Sequence, residues 1–345
     1  MILIHDRNTL GADTQRSYLK AVECLHFKNP SREFDPANGT LGLFRIDDYI
    51  KVLLTEGYLT AFSGLHLHWQ RVLLHIYEQE LREECGYNGT LPYWDFSRFA
   101  PNITADPIFK GNTSLGGDGQ VVGYPSHVGH GDVSINYFTH NYIIPPGSGG
   151  GCVQNPPATH GISTYPLAWP DNANSPNSTF DHSYLTRNPR CITRDLNAFT
   201  SHALTYNFVE KAIACDTYAC LLDSINGSPK GTILPIEIAA RATVGGLQLD
   251  PYIAASDPLW WLLAANVDRL WALWQGQNPN VDQRFNEVTG TKSPWMSNVT
   301  MPVALSDTLY YGALQGNKTQ IRLVKDGKST IEGHLCYRYS EPLKN

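Results

Sequence analysis

The chain has 345 residues, 42% of them hydrophobic and only 17% charged, with a formal net charge of −6. A chain of this length can bury a substantial core, and its mild acidity leaves no basic patch for nucleic acid. No run of about eighteen apolar residues could span a bilayer, and the opening MILIHDRNTL lacks the apolar core of a signal peptide, so Met1 is read as standing at a mature N-terminus.

Helical periodicity begins at residues 12–26 (ADTQRSYLKAVECLH), with apolar positions Tyr18, Ala21, Val22 and Leu25. A second helix is expected over 46–59, where Asp47 and Asp48 supply acidic first-turn chemistry. A third spans 66–84, with Leu67, Val72, Leu74, Ile76, Tyr77 and Leu81 among polar residues and Gly86 as its stop. Residues 100–190 are rich in Gly, Pro, Asn and Ser, including PPGSGGGC; they are read as ordered loops pinned by cysteines over a helical core. Asp257-Pro258 then opens a helix over 257–275, apolar nearly all round and therefore buried. Short strands are expected at TQIRLV and HLCYRYS near the C-terminus. The chain reads as one mainly α domain, 1–345, with long loops.

Eight Asn-x-Ser/Thr sequons (Asn38, Asn88, Asn102, Asn112, Asn177, Asn226, Asn298 and Asn317) and seven cysteines point to the secretory lumen or secretion. Asn226 is the weakest sequon because Pro229 follows it. The cysteines are Cys24, Cys85, Cys152, Cys191, Cys215, Cys220 and Cys336; disulfides are the default, one thiol is left over, and no Cys-x-x-Cys pair supports a metal reading.

The stretches DRNTLGADTQRSYLKAVECL, FRIDDY, WQRVLLHIYEQELREECGYNGTLPYWDF, PPGSGGGCV, NPRCITRDLN, VGG, DPLWWLLAANVDRLWALWQ and the closing YRY together resemble the tyrosinase and catechol oxidase family, in particular its short fungal members, over nearly the whole chain. The resemblance implies a four-helix bundle holding two coppers, three histidines each, that oxidise phenols with oxygen. It also implies a Cys24–Cys85 bond between the first and third helices. Cys152 with Cys191 and Cys215 with Cys220 are the expected remaining pairs, although spacing alone does not fix connectivity.

The ligand positions break the pattern. Anchoring on Trp69-Gln70-Arg71 puts Gln70, Ala61 and Leu53 where the first copper's histidines stand in similar enzymes. For the second copper, a His-xxx-His-xxx-Gly-Gly pattern anchored on Gly245-Gly246 gives Glu237 and Arg241, and anchoring on Asp257-Pro258 gives Leu263, beside Ala264. Leucine and alanine offer no donor, and arginine places a permanent cation where a metal should sit. No dicopper centre is expected. His66, His68 and His75 fall on different helix faces, and His127, His130, His140 and His160 show no ligand spacing, so no other metal is expected either.

Glu237 and Arg241 lie four apart on a helix whose equivalents face the bundle interior, which favours a functional polar pair. With no glycine-rich dinucleotide turn and no P-loop, no cofactor is expected and electron transfer is not available. Acid–base and positioning chemistry remain. Glu237 is the candidate general acid or base, Arg241 the candidate oxyanion partner, and Gln70 and His66 candidate substrate hydrogen-bonders. Leu53, Ala61 and Leu263 would form an apolar floor, with Trp260, Ala264, Ile238 and Ala242 as further lining. Trp260 matches the gating Phe of the similar enzymes. The expected partner is a small aromatic or terpenoid molecule, with no nucleic acid and no membrane. The expected reaction is a redox-neutral dehydration, cyclisation or cycloaddition of a phenolic, quinone-methide or tropolone-like substrate. The alternative is a non-catalytic secreted pseudoenzyme that binds such molecules. A hydrolase is disfavoured because no Gly-x-Ser-x-Gly elbow occurs.

Overall fold

A computed structural model describes residues 2–30, 44–57, 60–122, 133–137, 140–154, 162–164, 188–228, 234–250, 253–277, 284, 286–293, 301–312, 314, 318–320 and 337–340. Helix α1 (Ala12–Phe27) buries Tyr18, Ala21, Val22, Leu25 and His26. Helix α2 (Arg45–Val52) starts where the Phe44 N–H donates to the Asp47 carboxylate at 3.0 Å. It does not continue as an α-helix to residue 59. The chain widens into one π-turn over Leu53–Gly57. A β-carbon on Gly57 would stand 3.1 Å from Leu53 and 3.2 Å from Trp69, so this turn packs against α3 as closely as a glycine allows. Helix α3 (His66–Cys85) ends as its sequence foretells: Gly86 takes the left-handed conformation at φ 66°, and the Gly86 and Tyr87 N–H groups bond the Arg82 and Leu81 carbonyls.

Helices α4 (Tyr206–Ile213) and α5 (Tyr218–Asn226) were not evident from periodicity, since eight or nine residues give an apolar stripe only two turns long. Helix α6 (Ile236–Val244) is buried along its whole length and ends at Gly245-Gly246, both with positive φ. A β-carbon on Gly246 would lie 2.1 Å from the Thr193 carbonyl oxygen. The glycine pair therefore lets the Thr193–Asp195 backbone cross the helix end and bond it, Asp195 N–H to Val244 O at 2.8 Å and Leu247 N–H to Thr193 O at 3.1 Å. Helix α7 (Leu259–Gly276) is buried almost all round. Asp257 caps its start through the Leu259 N–H at 3.0 Å, and Arg194 grips the same carboxylate with two bonds of 2.7 and 2.8 Å, both side chains fully buried.

Helices α2, α3, α6 and α7 form the core of the bundle. Trp261 of α7 stacks on Tyr77 of α3 at 3.7 Å, and Tyr49 of α2 meets both rings edge-on. The C-terminal YRY is the strand β2 (Tyr337–Tyr339), which runs parallel to β1 (Ile2–Ile4). Tyr337 and Tyr339 donate their hydroxyls to Asp268 of α7 at 2.5 and 2.6 Å, and Asp268 in turn accepts from Arg71 of α3 at 2.5 Å. The two chain ends are thus tied to the bundle by one buried carboxylate.

The described parts of the loop-rich middle form 3-10 turns and short antiparallel pairs. In PPGSGGGC the Gly147 and Gly149 N–H groups both donate to the Asp195 carboxylate at 2.9 Å. The pairs Cys24–Cys85, Cys152–Cys191 and Cys215–Cys220 are all bonded. Cys336 lies outside the described residues, as do most of TQIRLV and the first half of HLCYRYS. Asn88, Asn102 and Asn112 are exposed, whereas Asn226 is buried; Asn38, Asn177, Asn298 and Asn317 lie outside the described residues. No described helix is long and apolar enough to cross a membrane.

Candidate functional site

Four elements bring the candidate residues together. The π-turn after α2 carries Leu53, the turn before α3 carries Ala61, and the first turns of α3 carry His66 and Gln70. Glu237, Ile238, Arg241 and Ala242 lie on α6, and Trp260, Leu263 and Ala264 at the start of α7. Helical spacing puts His66 and Gln70 one turn apart on the face that meets α6.

The polar residues form one cluster. His66 Nε2 sits 2.7 Å from Glu237 Oε2. The Gln70 amide and the Arg241 charge both act on the Glu237 carboxylate, favouring its ionised form. The Arg241 Nε–H donates to the Gln248 carbonyl at 2.7 Å, which anchors the guanidinium at the far end of α6. Glu237 is therefore paired directly with His66 rather than with Arg241, whose effect on the carboxylate is exerted through space. Neither the helical spacing of Glu237 and Arg241 nor their ligand-like positions revealed this pair. One half of the signal was present in the sequence: His66 shares a helical face with Gln70.

Burial raises the Glu237 carboxyl, but the charge and hydrogen bond of His66, the Arg241 charge and the Gln70 amide outweigh it and hold the group below the usual carboxylate range. Glu237 is ionised at neutral pH.

The apolar candidates differ in access. Leu263 and Ala264 have no accessible surface, so each is packed into the helix core. Leu53, Trp260, Ile238 and Ala242 are buried with a small accessible remainder, and Ala61 is half-buried at the mouth of α3. Next to Ala61, Phe62 holds φ 56°, a strained conformation for an aromatic residue. His68 is not part of the cluster. It is wedged against Tyr218 and Trp271, where burial, helped by Arg71, pushes its imidazole down to about 3.

Two coppers do not fit this donor set. Leu53, Ala61 and Leu263 have no donor atom, Arg241 is a permanent cation, and the remaining positions offer one amide and one carboxylate. Among the described residues no group of three or more His, Cys, Asp or Glu is placed to hold a metal ion.

Comparison with known proteins bears on the fold and its origin. Oxidase hkm6 of Aspergillus hancockii is 32% identical over 302 residues, covering 85% of this chain and 99% of the relative. Tyrosinase P of Aspergillus terreus is 29% identical across 97% of this chain and 91% of its own length. The solved structure of a mutant polyphenol oxidase from Thermothelomyces thermophila superposes with a TM-score of 0.85 at 28% identity, covering 99% of this chain and 89% of that one. Residues 34–277 match the family model of the common central domain of tyrosinase, and the chain belongs to the tyrosinase family.

Proposed function

We propose that this member of the tyrosinase family works without copper and catalyses a redox-neutral reaction (dehydration, cyclisation or cycloaddition) on a phenolic, quinone-methide or tropolone-like substrate in fungal specialised metabolism. The observation that carries this reading is the largely buried cluster of His66, Gln70, Glu237 and Arg241, three of which stand where the sequence resemblance would put metal ligands. A site that had merely lost its metal has no physical reason to keep a carboxylate, a guanidinium, an imidazole and an amide in one cluster, since apolar replacements of buried polar groups are often as stable or more so. The cluster supplies a fixed negative charge, a proton-accepting imidazole and a cation able to stabilise a phenolate-type oxygen. Orientation of a reactive molecule in a closed site adds to the rate without further groups. Ligand access is favoured at the mouth of α3, where His66, Ala61 and Phe62 are the accessible residues.

The fungal relatives support a role in fungal chemistry, and three disulfides together with exposed Asn88, Asn102 and Asn112 support a secretory route. The deciding experiment is elemental analysis after copper loading, combined with oxygen uptake on catechol. The expected outcome is no stoichiometric copper and no uptake. Two coppers per chain with rapid uptake would overturn the reading.

A further inference from the structure

Two acceptor atoms in the cluster accept no hydrogen bond from any described residue. His66 meets Glu237 through Nε2. Beside an ionised carboxylate, which can only accept, Nε2 must carry the proton. In the ring's neutral form Nδ1 is a lone pair to which no described residue donates, and 12% of the side chain remains accessible. One helical turn further on, Gln70 favours the ionised Glu237 carboxylate, which only the N–H end of its amide can do. The other end of that planar amide, Gln70 Oε1, is buried and accepts from no described residue, although Gln70 is only 2% exposed. A buried carbonyl without a donor carries a desolvation cost, which a ligand hydroxyl would relieve.

We propose that His66 is the proton-transferring residue of this site, that Glu237 is a positioning residue that fixes its tautomer, and that Gln70 selects phenols bearing a hydroxyl-carrying substituent ortho to the phenolic oxygen. The proposal rests on the redox-neutral reading above and names the substrate class for it. For an ortho-hydroxymethyl phenol the step balances. His66 Nδ1 takes the phenolic proton, the ring oxygen becomes a carbonyl, the exocyclic carbon–carbon bond becomes double, and the benzylic carbon–oxygen bond breaks. The departing hydroxide receives the proton back from His66 and leaves as water. Quinone methide and water hold every atom of the substrate, and no electron is gained or lost. Gln70 Oε1 accepts from the benzylic hydroxyl before it leaves. Glu237, held ionised by its neighbours, keeps its negative charge throughout and stabilises the imidazolium that forms.

The test uses the full chain and two coloured probes, ortho-hydroxymethyl-para-nitrophenol and para-nitrophenol, at about pH 6, where such phenols are largely unionised in water. Wild type should bind the hydroxymethyl probe roughly tenfold more tightly, the worth of one good hydrogen bond, and the bound dye should show phenolate absorbance. In Gln70→Met the tenfold ratio collapses, and in His66→Gln, or His66→Asn if the first variant folds poorly, the phenolate band is lost. Independently of any ligand, isotope-labelled histidine spectra should show His66 protonated at Nε2, with that preference lost in Glu237→Gln and restored in Glu237→Asp. Equal wild-type affinity for both probes refutes the role of Gln70, and a phenolate band that survives at His66→Gln refutes the role of His66. If neither probe binds, the substrate class falls, while copper loading and oxygen uptake still decide the redox-neutral reading and the tautomer spectrum still decides the pairing of His66 and Glu237.

Discussion

Replacing Glu237 by Leu removes the carboxylate directly paired with His66 and leaves Arg241, 9% exposed, as a buried cation beside an apolar side chain. Breaking a buried charge network by deleting one partner costs about 3–5 kcal/mol. With an unfolding entropy of about 2.1 cal/mol/K per residue over 345 residues, each kcal/mol moves Tm by roughly 1.4 °C, so Glu237→Leu should melt about 4–7 °C below wild type. Adding Arg241→Met removes the cation whose charge Glu237 offset, and the double variant should regain part of that loss while binding or turnover stays absent. The assay is a four-member cycle of melting curves at neutral pH, with the probe titrations as its functional arm. Arg241 acts on Glu237 through space and is anchored on the Gln248 carbonyl, so the coupling should be smaller than that between Glu237 and His66. A double variant no more stable than Glu237→Leu, or a single variant that melts with wild type, would show that burial of these charges carries no strain and would refute the reasoning.

The Glu237 carboxyl is depressed in the folded chain, so its contribution to stability is present above the unfolded value of about 4.3 and is lost as pH falls through the lower folded value. The stability gap between wild type and Glu237→Gln, measured by denaturant melts, should therefore be constant near neutrality and close in acid; a gap that widens in acid contradicts the assignment. Cys24–Cys85 closes a loop of 61 residues, for which chain entropy gives about 4 kcal/mol, so Cys24→Ser/Cys85→Ser should melt roughly 6 °C lower, and a change under about 1 °C would show that the helices alone hold α1 on α3. Tyr339→Phe deletes one hydroxyl from Asp268 and should cost about 1–2 kcal/mol, with faster hydrogen exchange in β1 and β2; unchanged exchange would mean the strand pair does not depend on that bond. Chain produced in a secretory host should carry glycans at Asn88, Asn102 and Asn112 and none at Asn226, as peptide mass analysis would read directly; a glycan at Asn226 is incompatible with its buried position.

The helical scaffold is legible in the sequence. The helices over residues 12–26, 66–84 and 257–275 follow from apolar periodicity and from stop signals such as Gly86, because these are local properties of the backbone that each segment carries wherever it packs. Landmark motifs carried the family, and the structure shows why those residues are needed: Gly245-Gly246 allows a backbone crossing, and the YRY tyrosines converge on Asp268. Local reasoning failed where the helix changed its period. Nothing in LLTEG distinguishes a π-turn from another α-turn until Gly57 meets Trp69, a residue of the next helix. It failed again at the site, where spacing along one helix suggested a Glu237–Arg241 pair and the partner was His66, 171 residues away in sequence. Which charged groups meet is decided by how α3 lies against α6. That packing is set by the whole core, including Tyr49, Tyr77 and Trp261, which lie outside the ionic pair, so only the tertiary structure could select His66 over Arg241 as the residue that holds Glu237.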